Sequence, residues 1–391
     1  MSSIYRRTEL AAKMAQQLIH PGVLDEGLRS GLFLSGPRRI GKTTFLVNDL
    51  IPALEAASAL VIYVDLWTDT GRSPVSLLQA AVRKALEDLA TPSASLVARL
   101  KHLSGADLSV MGFKFGFKLD SVGAPEGATL AQAFTEIVDQ AKTDLVLIVD
   151  EVQQAITSDE GNKMLLALKA ARDAINPRPN TPGHFIFVGT GSHRALVSEL
   201  TARRNQAFAG ATSVAYPVLE SDYVEYLLRR MEAEGLKALP TLGAAVQAFK
   251  TLGNRPEELL KAFRQVAFHT PEGTSPDTIL PVVAVTLRST AADVDLVKLD
   301  RIGALATAIF DKIACSDGDA KGLFAVEAAA EYSRAVGREV RVEEVQPVVN
   351  DLLDANLIMR RGHGLYGVSD PFVQQTWREK RAIDGPADTS V

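Results

Sequence analysis

The sequence has one cysteine, Cys315. A single thiol excludes a disulfide framework and a cysteine-built zinc site, and it fits a reducing compartment. Positive charge is not in excess either: 42 Lys and Arg face 47 Asp and Glu, a net of −5 with a pI near 5.8. That excludes a generic polyanion binder, so any nucleic-acid contact must come from a local patch. No apolar run approaches the ~18 residues of a transmembrane helix, and the opening MSSIYRRTEL has no apolar signal core. These absences predict a soluble, cytoplasmic chain with no membrane contact. The histidines do not group into a metal site, and no Ser-His-Asp arrangement, internal repeat or low-complexity tract is visible. What remains is ordinary globular composition, 47% apolar and 23% charged over 391 residues, enough for two or three domains.

Short apolar runs alternate with helical periodicity through the first half. GLFLSG (31–36), ALVIYVDL (59–66), DLVLIVDE (144–151) and HFIFVGTGS (184–192) read as buried strands. Helical spacing covers 8–20, the stretch TTFLVNDLIPAL, 75–90, 131–141 and 161–175. Near-continuous apolar strands separated by helices predict an α/β fold, a parallel sheet covered on both faces. FKFGFKLD (113–120) alternates aromatic and basic residues and predicts a small hairpin strand. Its alternative is a stacking platform for single strands, with Phe113, Phe115 and Phe117 between Lys114 and Lys118. After Tyr216 the strands stop, and 220–268 reads as all-helical. The Pro- and Gly-rich PEGTSPDTILP (271–281) predicts a linker. Three helices over 300–355 and a glycine-tipped hairpin over 357–371 suggest a winged helix.

Residues 36–44 read GPRRIGKTT, a glycine-rich loop between a strand and a helix. In that context the spacing is a phosphate-binding P-loop. The loop Gly36, Pro37, Arg38, Arg39, Ile40 and Gly41 would wrap the β-phosphate, through backbone N–H groups at every position but Pro37, aided by the field of the helix N-terminus. Lys42 would reach the β- and γ-phosphates. The Thr43 hydroxyl would bind Mg²⁺, and Thr44 would sit near the α-phosphate. Such a site needs a carboxylate to complete the magnesium shell. LVLIVDE supplies Asp150 for the ion, held through water, and Glu151 to polarise the attacking water. ATP and Mg²⁺ are the implied ligands.

GPRRIGKTT followed by YVDL, then LVLIVDEVQ, then FIFVGTGS, resembles the additional-strand (ASCE) P-loop ATPases of the AAA+ class. The similarity is greatest to the archaeal-type ATPases and the related STAND and origin-recognition-like groups, over about residues 4–380. The resemblance implies a parallel-sheet P-loop (AAA+/ASCE) ATPase core over 1–217 and an α-helical lid over 218–270. It further implies a linker and connecting helix over 271–299, a C-terminal winged-helix-like domain over 300–381 and a flexible tail over 382–391. It implies roles for single residues too. Ser192, or second Thr190, stands at the sensor-1 position. Arg255 in TLGNRPEELL would touch the γ-phosphate as sensor 2. Arg203 or Arg204 would act as an arginine finger in a neighbouring subunit, and Tyr5, Arg6 and Arg7 would lie near the adenine.

Two functions follow from these expectations. One is a nucleotide-switched homo-oligomer that hydrolyses ATP, with low turnover possible, and remodels or recruits a protein partner. The other is a DNA-handling ATPase of initiator, transposition-regulator or repair type. Local charge leans against DNA. Over 296–391 there are 12 Lys and Arg against 15 Asp and Glu. The candidate recognition helix, EEVQPVVNDLLDAN (343–356), carries Glu343, Glu344, Asp351 and Asp354 with no Lys or Arg, where phosphate contact needs cations. Only Arg360, Arg361 and His363 make a basic spot.

Overall fold

The structure, a computed structural model, describes residues 4–69, 71–91, 113–123, 126–156, 158–192, 197, 200–201, 206–236, 238–269, 273–362 and 364–384. The chain forms two compact units, Met1–Pro217 and Val218–Val391. Among the described residues no helix is long and apolar enough to cross a membrane.

The first unit is built on five parallel strands: β1 (Leu32–Ser35), β2 (Leu60–Asp65), β3 (Leu145–Asp150), β4 (Phe185–Gly191) and β5 (Thr212–Ala215), in the order β2-β3-β4-β1-β5. This is the α/β parallel-sheet architecture that the apolar runs imply. β4 lies between β1 and β3, so it is the additional strand. β3 and β4 are buried at every position, because both faces are covered. At roughly 1.5–3 kcal/mol for each large apolar side chain buried, these two central strands are the main apolar anchor of the unit. Helix Leu130–Ala141 packs on this core through Phe134, whose ring lies 4.9 Å from that of Phe185. Phe187 and Phe208 stack at 4.3 Å.

Three features depart from expectation. β5 has no apolar run, and three of its four residues are exposed. It joins the sheet through backbone pairing to β1, Leu32 opposite Thr212, and backbone pairing leaves no trace in side-chain pattern. Residues 113–118 form no strand. The backbone there bonds to side chains of helix Leu130–Ala141 instead: Lys114 N–H to Gln140 at 3.1 Å and Gly116 N–H to Glu136 at 3.0 Å. Phe113 is buried, and Phe115 and Phe117 pack partly buried against the core. The alternation therefore marks one buried side without a strand partner, and the rings are taken up internally. The third departure is at 271–281. Ser275 caps a 27-residue helix, Pro276–Ile302, that runs through Pro281. Proline at N1 suits a helix start, and the loss of one backbone donor at Pro281 does not end so long a helix.

The second unit begins with helices Ser221–Ala233, Leu242–Thr251 and Pro256–His269. The long helix Pro276–Ile302 packs against the last two of these and against helix Pro371–Asp384. Helices Ala304–Cys315, Val326–Val336 and Val342–Asp354 then surround a core of Phe310, Tyr332, Val349 and Leu352. The antiparallel hairpin β6 (Ile358–Gly362) and β7 (Leu365–Val368) adds Tyr366 to it. Helix Pro371–Asp384 continues past residue 382, where the sequence reads as a loose tail.

Candidate functional site

The C-terminal ends of parallel strands are where α/β sheets hold ligands. Here the ends of β1 and β3 carry the two phosphate motifs, separated by the end of β4. Register aligns them: Ser35 is opposite Gly191, and Asp65 is opposite Asp150. The loop after β1 is pinned by Ile40, which is fully buried. Gly36 has no room for a side chain, since a Cβ there would meet Ile40 Cδ1 at 2.8 Å. Gly41 turns the chain at φ +90° into helix Lys42–Phe45.

Lys42 is buried, and its Nζ donates to the carbonyls of Gly36 and Pro37, both at 2.8 Å. Burial pushes its pKa down. The charges of Glu151 and Asp150 oppose that shift, and Arg38 adds to it. Asp150 is fully buried and has both oxygens engaged. Oδ2 accepts from the Thr43 hydroxyl at 2.6 Å and from Tyr63 at 3.4 Å. Oδ1 accepts from the Glu151 N–H at 3.0 Å and from the Thr190 hydroxyl. The two sensor-1 candidates thus have different partners: Thr190 holds Asp150, whereas Ser192 donates to Glu151 Oε2 at 2.9 Å. Glu151 itself sits at φ +55°, a left-handed backbone that costs a side-chain residue about 1–2 kcal/mol and is often found at functional positions.

Sequence reasoning missed four neighbours. Gln153 Nε2 donates to Glu151 and, at 3.2 Å, to Ser192. Tyr63 is held protonated by burial first and then by the charges of Asp150 and Asp65, which keeps it a donor to Asp150. Asp65 is a third carboxylate near the strand ends. Burial raises its pKa, the Trp67 N–H lowers it, and Asp150 and Glu151 raise it again. Trp67 lies under the Arg38 guanidinium, 4.2 Å from the ring centre. The available signal was that the apolar run before Asp65 meets an acid just as LVLIV does at Asp150.

The N-terminal motif lies against the helical segment after the P-loop. Arg6 pairs with buried Asp49 at 2.6 Å and donates to the Asn48 carbonyl. Arg7 bonds Tyr216 at 3.1 Å and lies 5.8 Å from the Phe45 ring centre. Tyr5 is half-buried, and Thr44 is exposed with its carbonyl accepting from Asn48 at 3.0 Å. Arg39, exposed at φ +65°, turns the loop outward. Arg203, Arg204 and His363 lie outside the described residues.

In the second unit Arg255 is engaged locally. Its Nη2 meets Asp370 Oδ2 at 2.5 Å, and its guanidinium lies 4.4 Å from the Phe372 ring centre. Gly253 permits this, since a Cβ there would strike the Phe372 ring at 2.2 Å. The helix Val342–Asp354 exposes Glu343, Asp351 and Asp354, while Glu344 accepts from Arg338 at 2.9 Å. On the hairpin, Arg361 pairs with Asp319 at 3.3 Å and Arg360 is exposed.

Among the described residues no three His, Cys, Asp or Glu side chains group to hold a metal. Instead one hydroxyl and one carboxylate, Thr43 and Asp150, converge beside a lysine and a phosphate loop. That oxygen set fits magnesium, which is commonly held by one or two protein oxygens plus substrate phosphates.

A family model described as an ATPase domain predominantly from Archaea matches residues 21–261. The match covers more than half of the chain, and the chain belongs to this family. A search of curated proteins finds no match. Among solved structures, the Walker-type ATPase paby2304 of Pyrococcus abyssi aligns with a TM-score of 0.58 at 18% identity, covering 96% of each chain. The ORC2 protein of Aeropyrum pernix, solved as ADPNP–ADP complexes, aligns with a TM-score of 0.53 at 13% identity, covering 98% of this chain and 96% of that one. At such identities the likeness is one of fold. Family and site together make the protein a nucleotide-binding P-loop ATPase, with ATP as its ligand and an oxygen pair, Thr43 and Asp150, that fits magnesium.

Proposed function

We propose that this ATPase is a cytoplasmic, nucleotide-dependent oligomeric switch that remodels or recruits a protein partner. The observation that carries this reading is the charge of the C-terminal module. The exposed face of helix Val342–Asp354 is acidic, and one of the two hairpin arginines is neutralised by Asp319. A winged helix that reads DNA needs cations where this one has carboxylates.

In the proposed reaction Lys42 and the loop amides bind the β- and γ-phosphates. Thr43 and Asp150 hold magnesium, which when bound shields phosphate charge. Glu151 accepts a proton from the attacking water, positioned by Ser192. Thr190 keeps Asp150 oriented. Arg255 acts as sensor 2, Arg203 or Arg204 acts in trans, and Tyr5, Arg6 and Arg7 border the base.

The test is duplex-DNA binding by fluorescence anisotropy, with and without a non-hydrolysable ATP analogue at two salt concentrations, beside sedimentation of the same samples. The expected result is no salt-sensitive DNA binding and a nucleotide-dependent gain in mass. Tight, salt-sensitive binding that needs nucleotide and is lost in Lys42→Ala would establish the DNA-handling alternative instead. A monomer in every nucleotide state would remove the oligomeric switch.

A further inference from the structure

The P-loop carries two arginines between its glycines, and backbone wrapping of phosphate uses neither side chain. Ile40 is driven into the core, which leaves Arg38 and Arg39 on the outer side of the loop. Arg38 reaches across the strand ends. Its guanidinium covers the Trp67 ring after β2, 4.2 Å from the centre, and its Nε lies 3.4 Å from Ser192 Oγ at the end of β4. The Ser192 hydroxyl that meets Arg38 donates in turn to Glu151. Among the described residues no carboxylate pairs with Arg38. A stacked, partly solvated cation over an aromatic face gains only about 0.5–1 kcal/mol, so a stronger anion can take it from Trp67.

Position decides which anion. Arg38 stands one hydroxyl away from Glu151, the carboxylate placed for the attacking water, and its charge is felt at Lys42. In the proposed reaction, in which Glu151 faces the attacking water, that is the terminal-phosphate end of the loop. We infer that Arg38 is a catalytic residue of this ATPase, a cation that the P-loop supplies in cis to the γ-phosphoryl group, with Trp67 as its resting place and Ser192 as its link to Glu151. The inference rests on the ATPase assignment and deepens it. It gives the chain a transition-state charge of its own, independent of any arginine from a neighbouring subunit. A guanidinium delivered to a transferring phosphoryl group stabilises the charge spread over its oxygens.

Trp67 provides a readout besides turnover, because the cation leaves its ring. Tryptophan emission of the full chain is titrated with Mg²⁺ plus ADP and with Mg²⁺ plus a non-hydrolysable ATP analogue, while affinity is measured separately by calorimetry. The expected result is an emission change with the ATP analogue and not with ADP. The change disappears in Trp67→Phe and in Arg38→Ala. Arg38→Ala is expected to keep ADP affinity within about twofold while kcat falls on the order of 10²–10³-fold, and Arg38→Lys to recover part of the rate. An equal signal from both nucleotides, or an unchanged kcat in Arg38→Ala, overturns the inference. Failure of the wild-type protein to bind either nucleotide would sink the ATPase assignment and this inference with it, whereas binding without a γ-dependent signal sinks the inference alone.

Discussion

Acids crowd two places in this molecule, the strand ends of the first unit and the helix Val342–Asp354 of the second, and they behave differently. At the strand ends Asp150 is fully buried with both oxygens accepting, and Glu151 is held by Ser192 and Gln153. On the helix, Glu343, Asp351 and Asp354 stand in water. A buried carboxylate with every lone pair assigned is held for one geometry, and its loss is felt as chemistry. An exposed carboxylate acts by its field, which salt screens over about 10 Å. The comparison predicts large, local effects at the first place and small, salt-dependent ones at the second.

The largest effect is expected at Glu151. Glu151→Gln keeps shape and hydrogen bonding to Ser192 and removes the proton acceptor. Phosphate release should fall by on the order of 10²–10³-fold, with ATP affinity near that of wild type by equilibrium titration. Equal turnover in the variant would take Glu151 out of the mechanism and leave the strand-end acids with a structural role.

How much of this was legible in the sequence follows from the same contrast. The P-loop and the LVLIVDE strand could be read directly because their chemistry needs fixed residue types at contiguous spacing. In the structure Thr43 and Thr190 bond Asp150, Ser192 bonds Glu151, and Lys42 lies within reach of both acids' charge. Gln153, Tyr63, Asp65 and Trp67 were not read, because their places depend on strand register and on a turn after β2. β5 was invisible since it enters through its backbone. The Arg255–Asp370 pair joins residues 115 positions apart, and no local pattern announces it.

That pair is intermediate between the two kinds of acid. Arg255 is 12% and Asp370 27% exposed at the side chain, and Arg255 Nε is buried with no hydrogen-bond partner. Asp370→Asn removes the charge partner of a largely buried cation, so a loss of about 2 kcal/mol is expected, seen as a lower melting temperature. If Arg255 also serves the nucleotide, the same variant frees it, and ATP affinity should rise while ADP affinity stays put. A stability loss with no change in either affinity would assign Arg255 to holding the second unit together and remove it from the γ-phosphate.

The smallest effect is expected on the helix, and it tests the comparison from the other side. If exposed acids act only through their field, reversing them should change phosphate affinity without changing the fold or the reaction. Glu343→Lys with Asp351→Lys replaces two negative charges by two positive ones on the exposed face. Each new phosphate contact adds about 0.9 to the slope of log affinity against log salt. The double variant should therefore gain weak duplex binding, about tenfold at low salt and nearly none at high salt, with a slope steeper by roughly two. Melting temperature and ATP turnover should match the parent. A gain that survives high salt would mean that this helix already fits a groove and that charge alone was holding DNA away. Under that outcome the acidic face is a brake on DNA binding, and the protein-partner reading loses the observation it stands on.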